Sequence, residues 1–150
     1  RDVAPSRGLG DVYKRQAAHG FDWLTKEEEI VDRYLQDPWC GFLFTAAGYR
    51  DLFSLLKHVS APKWYQKVPY PLPILLISGE MDPVGDYGKG VRQVYRDLKK
   101  TGHGDVTLKL YPGDRHEILN ETDRKAVFAF IGEWARRVVE GEPANASKAD

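Results

Sequence analysis

The chain has 150 residues, room for one domain with a core of its own, and its 42% hydrophobic and 29% charged residues are ordinary for a globular protein. Lys+Arg and Asp+Glu are both 22, so no basic field is available to hold nucleic acid or an anionic membrane. No apolar run approaches the roughly 20 residues of a membrane helix, and Cys40, the only cysteine, allows neither an intrachain disulfide nor a thiolate metal cluster and fits a reducing, cytoplasmic setting.

Arg1 to Gln16, RDVAPSRGLGDVYKRQ, shows neither a helical nor a strand period and no apolar signal-peptide core. It resembles translated adaptor read-through, and the expectation is a non-native or disordered leader over 1–16. From 17 to 70 the chain is aromatic and helical in pattern. Thr25 and Glu28 have the T-x-x-E spacing of a capping box, after which Ile30, Val31, Tyr34 and Leu35 share one helical face. Asp37-Pro38 stops this helix, since proline disfavours the helical conformation in the residue before it. A second helix is predicted from Thr45 or Ala46, with Tyr49, Leu52, Phe53, Leu56 and Val59 at helical spacing, ending before Pro62. The Pro-rich stretch from Lys63 to Pro73 reads as an extended connection.

The pattern changes at Pro73. Ile74-Leu75-Leu76-Ile77 is a continuous apolar run of the kind found in parallel strands buried on both faces. A loop from Gly79 to Gly90 contains Asp82-Pro83, and Val91, Val94, Tyr95 and Leu98 then mark an amphipathic helix, with Lys99 and Lys100 at its negative end and Gly102 beyond it. Val106, Leu108 and Leu110 alternate with Thr107, Lys109 and Tyr111, which predicts a strand nearer a sheet edge. The loop from Tyr111 to Asn120 carries His116. Asn120, with Asp123 three residues on, is positioned to cap a last helix whose inner face is Val127, Phe128, Ile131, Trp134, Ala135 and Val138, ended by Gly141. A small polar tail, 142–150, holds the acceptor triplet Asn145-Ala146-Ser147, which has no meaning without secretion. Strand, helix, strand, helix over 71–141 is a βαβ unit with a following helix, hence an α/β architecture with two parallel strands. Two such strands do not bury both of their faces alone and call for more sheet.

In parallel α/β sheets, functional groups gather in loops past the carboxyl ends of strands. Asp82 and His116 each occupy such a loop, acid first and histidine last. A carboxylate there accepts a hydrogen bond from one imidazole nitrogen, fixing the tautomer and stabilising the imidazolium formed when the other nitrogen takes a serine proton. Histidine as a residue type, with an ordinary pKa of about 6.5, suits such proton transfer. Taken singly, each residue has a plainer reading: Asp82 before Pro83 as a turn residue, and His116 between Arg115 and Glu117 as a solvated side chain. The discriminating quantity is their separation, since about 2.7–3.2 Å between carboxylate oxygen and imidazole nitrogen makes a pair, whereas outward-pointing side chains make a non-catalytic α/β binding module.

The segments FDWLTKEEEIVDRYLQDPWCGFLFT, LPILLISGEMDPVG, GKGVRQVYRDLKKTG and LYPGDRHEILNETDR, within Phe21 to Val138, resemble the C-terminal half of the serine aminopeptidase and monoacylglycerol lipase-like branch of the α/β-hydrolases, often labelled lysophospholipases. The resemblance implies the last two strands of that fold over 71–141 plus a remnant of a helical cap over 17–70. It gives Asp82 the triad-acid role and His116 that of general base. It also implies a small-molecule ester or lipid substrate, no cofactor and no metal. Peptide-end cleavage is the alternative, because the family label covers both chemistries. The nucleophile is the departure: no G-x-S-x-G precedes Asp82, and the chain is expected to be an inactive fragment of a serine hydrolase. Ser6, in A-P-S-R-G, lacks the buried strand an elbow requires. Cys40 lacks the elbow pattern and reads as a structural thiol, and His19, His58 and His103 read as surface or turn residues without metal-ligand spacing. Trp23, Tyr34, Trp39, Phe42, Phe44, Tyr49 and Phe53 are candidates to line an acyl tunnel or to pack the cap helices together.

Overall fold

The computed structural model describes residues 20–61 and 63–141. The leader 1–16, Ser6, His19 and the tail 142–150 with its Asn145 triplet lie outside the described residues, as does Pro62. In chain order the elements are α1 (Glu28–Gln36), α2 (Ala46–Val59), a 3-10 turn (Trp64–Lys67), β1 (Ile74–Gly79), α3 (Lys89–Lys100), β2 (Val106–Tyr111), a second 3-10 turn (Ile118–Asn120) and α4 (Arg124–Glu140). The two strands pair in parallel, Ile74 opposite Val106 through Gly79 opposite Tyr111. This is the α/β arrangement of two parallel strands flanked by helices that the hydrophobic pattern calls for.

The register puts the ends of both strands level, so the loops carrying Asp82 and His116 leave the sheet side by side. Helix α3 packs on both strands through the face of Val91, Val94, Tyr95 and Leu98, of which Leu98 is fully buried. The core joins Tyr111 at the end of β2, Ile118 in the following turn and Val127 on α4, with Ile77 and Ile131 against them. Ile74 to Ile77 are half-buried rather than sealed on both faces, because each strand has one neighbour among the described residues. The Arg137 guanidinium reaches back from α4 to grip both carboxylate oxygens of Asp105, each at 2.9 Å. The Asp105 main-chain carbonyl in turn accepts the Ile74 N–H at the start of β1, so the residue gripped by Arg137 ties helix to sheet.

Several local expectations are corrected. Thr25 does not cap α1. The N-cap is Glu27, without a side-chain bond, while the Thr25 hydroxyl is fully buried and turned to Asn120 and Glu121. A tertiary partner outcompetes the local capping geometry there. Asn120 does not cap α4 either. It closes the 3-10 turn with its amide on Glu117, and α4 begins after Asp123. Thr45 does cap α2, accepting from the Gly48 N–H at 3.1 Å. The connection through 63–73 is not wholly extended, since it contains the turn Trp64–Lys67. On α4, Phe128 and Ala135 are exposed, so the inward face is narrower than the apolar pattern suggests. Gly141 ends this helix at φ 71°, a left-handed conformation that glycine adopts without steric cost. Among the described residues no helix is long and apolar enough to cross a membrane.

Candidate active site

Asp82 sits three residues past β1, in a loop that coils tightly before α3. Its main chain accepts the Tyr87 N–H at 2.8 Å, and Asp86, Tyr87 and Gly88 all have positive φ. Asp82 is buried, and its carboxylate is divided between two tasks. Oδ1 accepts the Val84 N–H at 2.8 Å, the Asx-type turn that an Asp before Pro favours. Oδ2 is left to face the neighbouring loop. The turn reading and the pairing reading of Asp82 are thus both satisfied, one by each oxygen.

His116 sits in the loop after β2. Its Nδ1–H donates to Asp82 Oδ2 at 3.1 Å, the donor role following from the acceptor-only carboxylate opposite. That tautomer leaves Nε2 with its lone pair free to take a proton. The side chain is 38% exposed against 10% for that of Asp82, so the carboxylate is the deeper of the two and the imidazole is the one open to solvent. The Trp23 indole flanks the imidazole, ring centres 5.1 Å apart and planes tilted by 57°. The two side chains are therefore paired, not outward-pointing as a binding module would have them. No hydroxyl among the described residues hydrogen-bonds to His116.

Gly79 explains how the loops approach so closely. A Cβ at that position would stand closer than 3.0 Å to the carbonyl oxygens of Asp114 and Arg115. The end of β1 therefore touches the backbone just before His116, and Met81 N–H donates to Asp114 O at 2.8 Å across the same gap.

A shallow apolar groove of about 440 Å³ lies on the α1–α2 side, lined by Phe21, Tyr34, Trp39, Cys40, Phe42 and Phe44 among others. The aromatic rings divide into groups. Phe21 packs on Tyr34, Phe42 on Phe44, and Phe44 on Tyr49, which stacks with Phe53. Trp39, Phe42 and Phe53 are nonetheless largely exposed. Partial burial and the Asp37 carboxylate push the Cys40 thiol up from its ordinary pKa, which disfavours the thiolate and agrees with a structural cysteine. His58 is exposed, as expected. His103 is not: it is buried, stacked on Tyr70, with its ring nitrogens 3.2 Å from the Leu98 and Val68 carbonyl oxygens. A polar histidine between glycines gave no hint that these carbonyls would enclose it. Among the described residues there is no grouping of His, Cys, Asp and Glu able to hold a metal ion.

Acid then histidine, at the ends of adjacent parallel strands and within hydrogen-bond reach, is the layout that closes a hydrolase triad. A family model described as Serine aminopeptidase, S33, matches residues 3–123. The chain belongs to that serine aminopeptidase family. Two solved structures place this S33 chain within the wider esterase and lipase fold. A carboxyl esterase from Bacillus coagulans, solved with glycerol, is 34% identical over 75% of this chain and 38% of its own, with a TM-score of 0.65. A lipase in its open form is 26% identical over 91% of this chain and 55% of its own, with a TM-score of 0.70. The S33 chain thus spans about half or less of the length of these relatives. No curated protein matches it.

The surroundings of His116 hold more than Asp82. Thr25, Arg115 and Glu121 are all buried beside it, and Trp23 packs on its ring. The one available signal is the density of charge in DRHEILNE, where a short loop follows an apolar strand and charged residues must find partners or remain in water.

Proposed function

We propose that this chain carries the acid and base of a serine-hydrolase triad that cleaves carboxylic esters, of monoacylglycerol or lysophospholipid type, with the nucleophilic serine supplied from outside it. The observation that carries the reading is the 3.1 Å contact from His116 Nδ1 to Asp82 Oδ2 at the level ends of two parallel strands. In this mechanism His116 Nε2 takes the serine proton as the hydroxyl attacks the ester carbonyl. Asp82 stabilises the imidazolium, and the same proton passes to the leaving alcohol. Water then repeats the cycle on the acyl-enzyme. The aromatic groove by α1 and α2 supports an acyl chain as the bound part of the substrate, and residues 17–70 are read as the end of a cap over the site. The likeness to an esterase and a lipase favours ester over peptide chemistry, and the family description keeps an aminopeptidase as the second reading.

The test is steady-state hydrolysis of short and long p-nitrophenyl esters by a protein that contains this chain together with its upstream segment. His116→Ala is expected to lower kcat by on the order of 10⁶-fold, and Asp82→Asn by on the order of 10⁴-fold, with KM little changed. Ester turnover that survives both substitutions within tenfold defeats the assignment. Turnover of aminoacyl amides in place of esters transfers it to the second reading.

A further inference from the structure

The largest concentration of buried charge lies behind His116 rather than in front of it. The stretch from Asp22 to Lys26 runs along the loop from Asp114 to Glu121, some ninety positions later in the chain, and the two are fastened repeatedly. His116 N–H donates to Trp23 O at 3.3 Å and Glu117 N–H to Leu24 O at 2.7 Å, so the backbone on either side of the imidazole is held by this stretch. Arg115 Nη1 donates to Asp22 O at 2.6 Å and to Thr25 O at 3.0 Å. Lys26 Nζ pairs with Asp114 Oδ1.

Glu121 is the point that binds the main chain of both sides at once. Its side chain has no solvent exposure, yet both carboxylate oxygens are engaged. Oε1 accepts the Arg115 N–H at 2.7 Å. Oε2 accepts the Lys26 N–H at 3.0 Å, lies 3.1 Å from the Thr25 hydroxyl, and has the Lys26 ammonium 3.8 Å away. A buried carboxylate is retained only when hydrogen bonds and charge offset its desolvation, and here those bonds come from the residue before His116 and from two residues of the flanking stretch.

We propose that Glu121 is a positioning residue for His116: it clamps the Arg115 main chain to Thr25 and Lys26, and so fixes the imidazole between the Trp23 ring and Asp82 Oδ2. The inference rests on the reading of His116 as general base. A purely structural Glu121 governs stability alone, whereas a positioning Glu121 also governs the tautomer and environment of one ring.

Nitrogen-detected NMR of the histidine side chains in the full 150-residue chain separates these. The unaltered chain is expected to show His116 as a single Nδ1–H tautomer, with a slowly exchanging Nδ1 proton and ring protons shifted by the Trp23 indole. Glu121→Gln, which sets an amide donor against either the Lys26 or the Arg115 N–H, is expected to abolish the slow Nδ1 signal. It should move the His116 ring resonances toward averaged tautomers, while the amide signals of β1 and β2 stay in place. Thr25→Val removes one hydroxyl from the clamp and is expected to cause a smaller shift in the same direction. It also decides the matter if Glu121→Gln does not fold. His116 resonances unmoved in the folded variants overturn the proposal. Asp82→Asn is the separate arm. If it leaves the His116 tautomer unchanged, the acid–base reading fails, and the loss of the Trp23 ring shift in Glu121→Gln still reports on the clamp.

Discussion

Asp82 shows how one residue meets two demands, its Oδ1 closing a turn on the Val84 N–H and its Oδ2 orienting His116. Asp114 shows the opposite, a carboxylate only partly satisfied. It is fully buried, Oδ1 pairs with Lys26, and Oδ2 has no partner among the described residues. Burial pushes its pKa up from 3.8, the Lys26 hydrogen bond and charge offset part of that, and the Asp123 and Glu121 carboxylates add to the rise. On the Lys26 side burial works downward, but the Asp114 hydrogen bond and the Glu121 and Asp114 charges outweigh it and hold the ammonium above its ordinary value. A carboxyl raised in the folded state binds its proton more tightly there than in the unfolded chain. Its contribution to stability is therefore present at low pH and declines as pH rises from 3.8 through the raised folded value, then levels off. Asp114→Asn removes that slope, so its stability relative to the parent is expected to improve with rising pH across the window, read by urea unfolding at a series of pH values. A difference that stays constant with pH contradicts this account of Asp114. The sequence shows only the charge density of this loop, because nothing local says that Asp22 to Lys26 will cover it.

At the scale of elements, the parts governed by local periodicity are the parts the sequence discloses. The runs at Ile74 and Val106 become the paired strands, the Val91–Leu98 stripe faces the sheet, and Asp37-Pro38, Thr45 and Gly141 mark helix ends where expected. The parts settled by distant partners are not disclosed. Thr25 satisfies Glu121 instead of capping α1, and His103 is enclosed by carbonyls from α3 and the connection before β1. Gly79 is the element-scale determinant of the site, because the two loops meet over it. Gly79→Ala is expected to destabilise the chain by about 1–3 kcal/mol through overpacking against immovable backbone, and to lengthen the contact between Asp82 and His116. Thermal unfolding and the His116 ring resonances measure the two effects, and a substitution tolerated without change in either removes Gly79 from the account.

At the scale of the whole molecule, the chain presents two parallel strands whose level ends bring Asp82 and His116 together, and it spans 38% and 55% of the two solved relatives. The acid–histidine order made the proposed chemistry legible from sequence, and the 3.1 Å contact is the geometry that supports it. The most direct measurement of the central claim is active-site labelling with a fluorophosphonate, followed by peptide mapping, in a protein that contains this chain joined to its upstream segment. The account predicts one labelled serine outside these 150 residues, with labelling lost in His116→Ala and strongly slowed in Asp82→Asn. A label on Ser6 or any other residue of this chain, or labelling indifferent to His116, contradicts it.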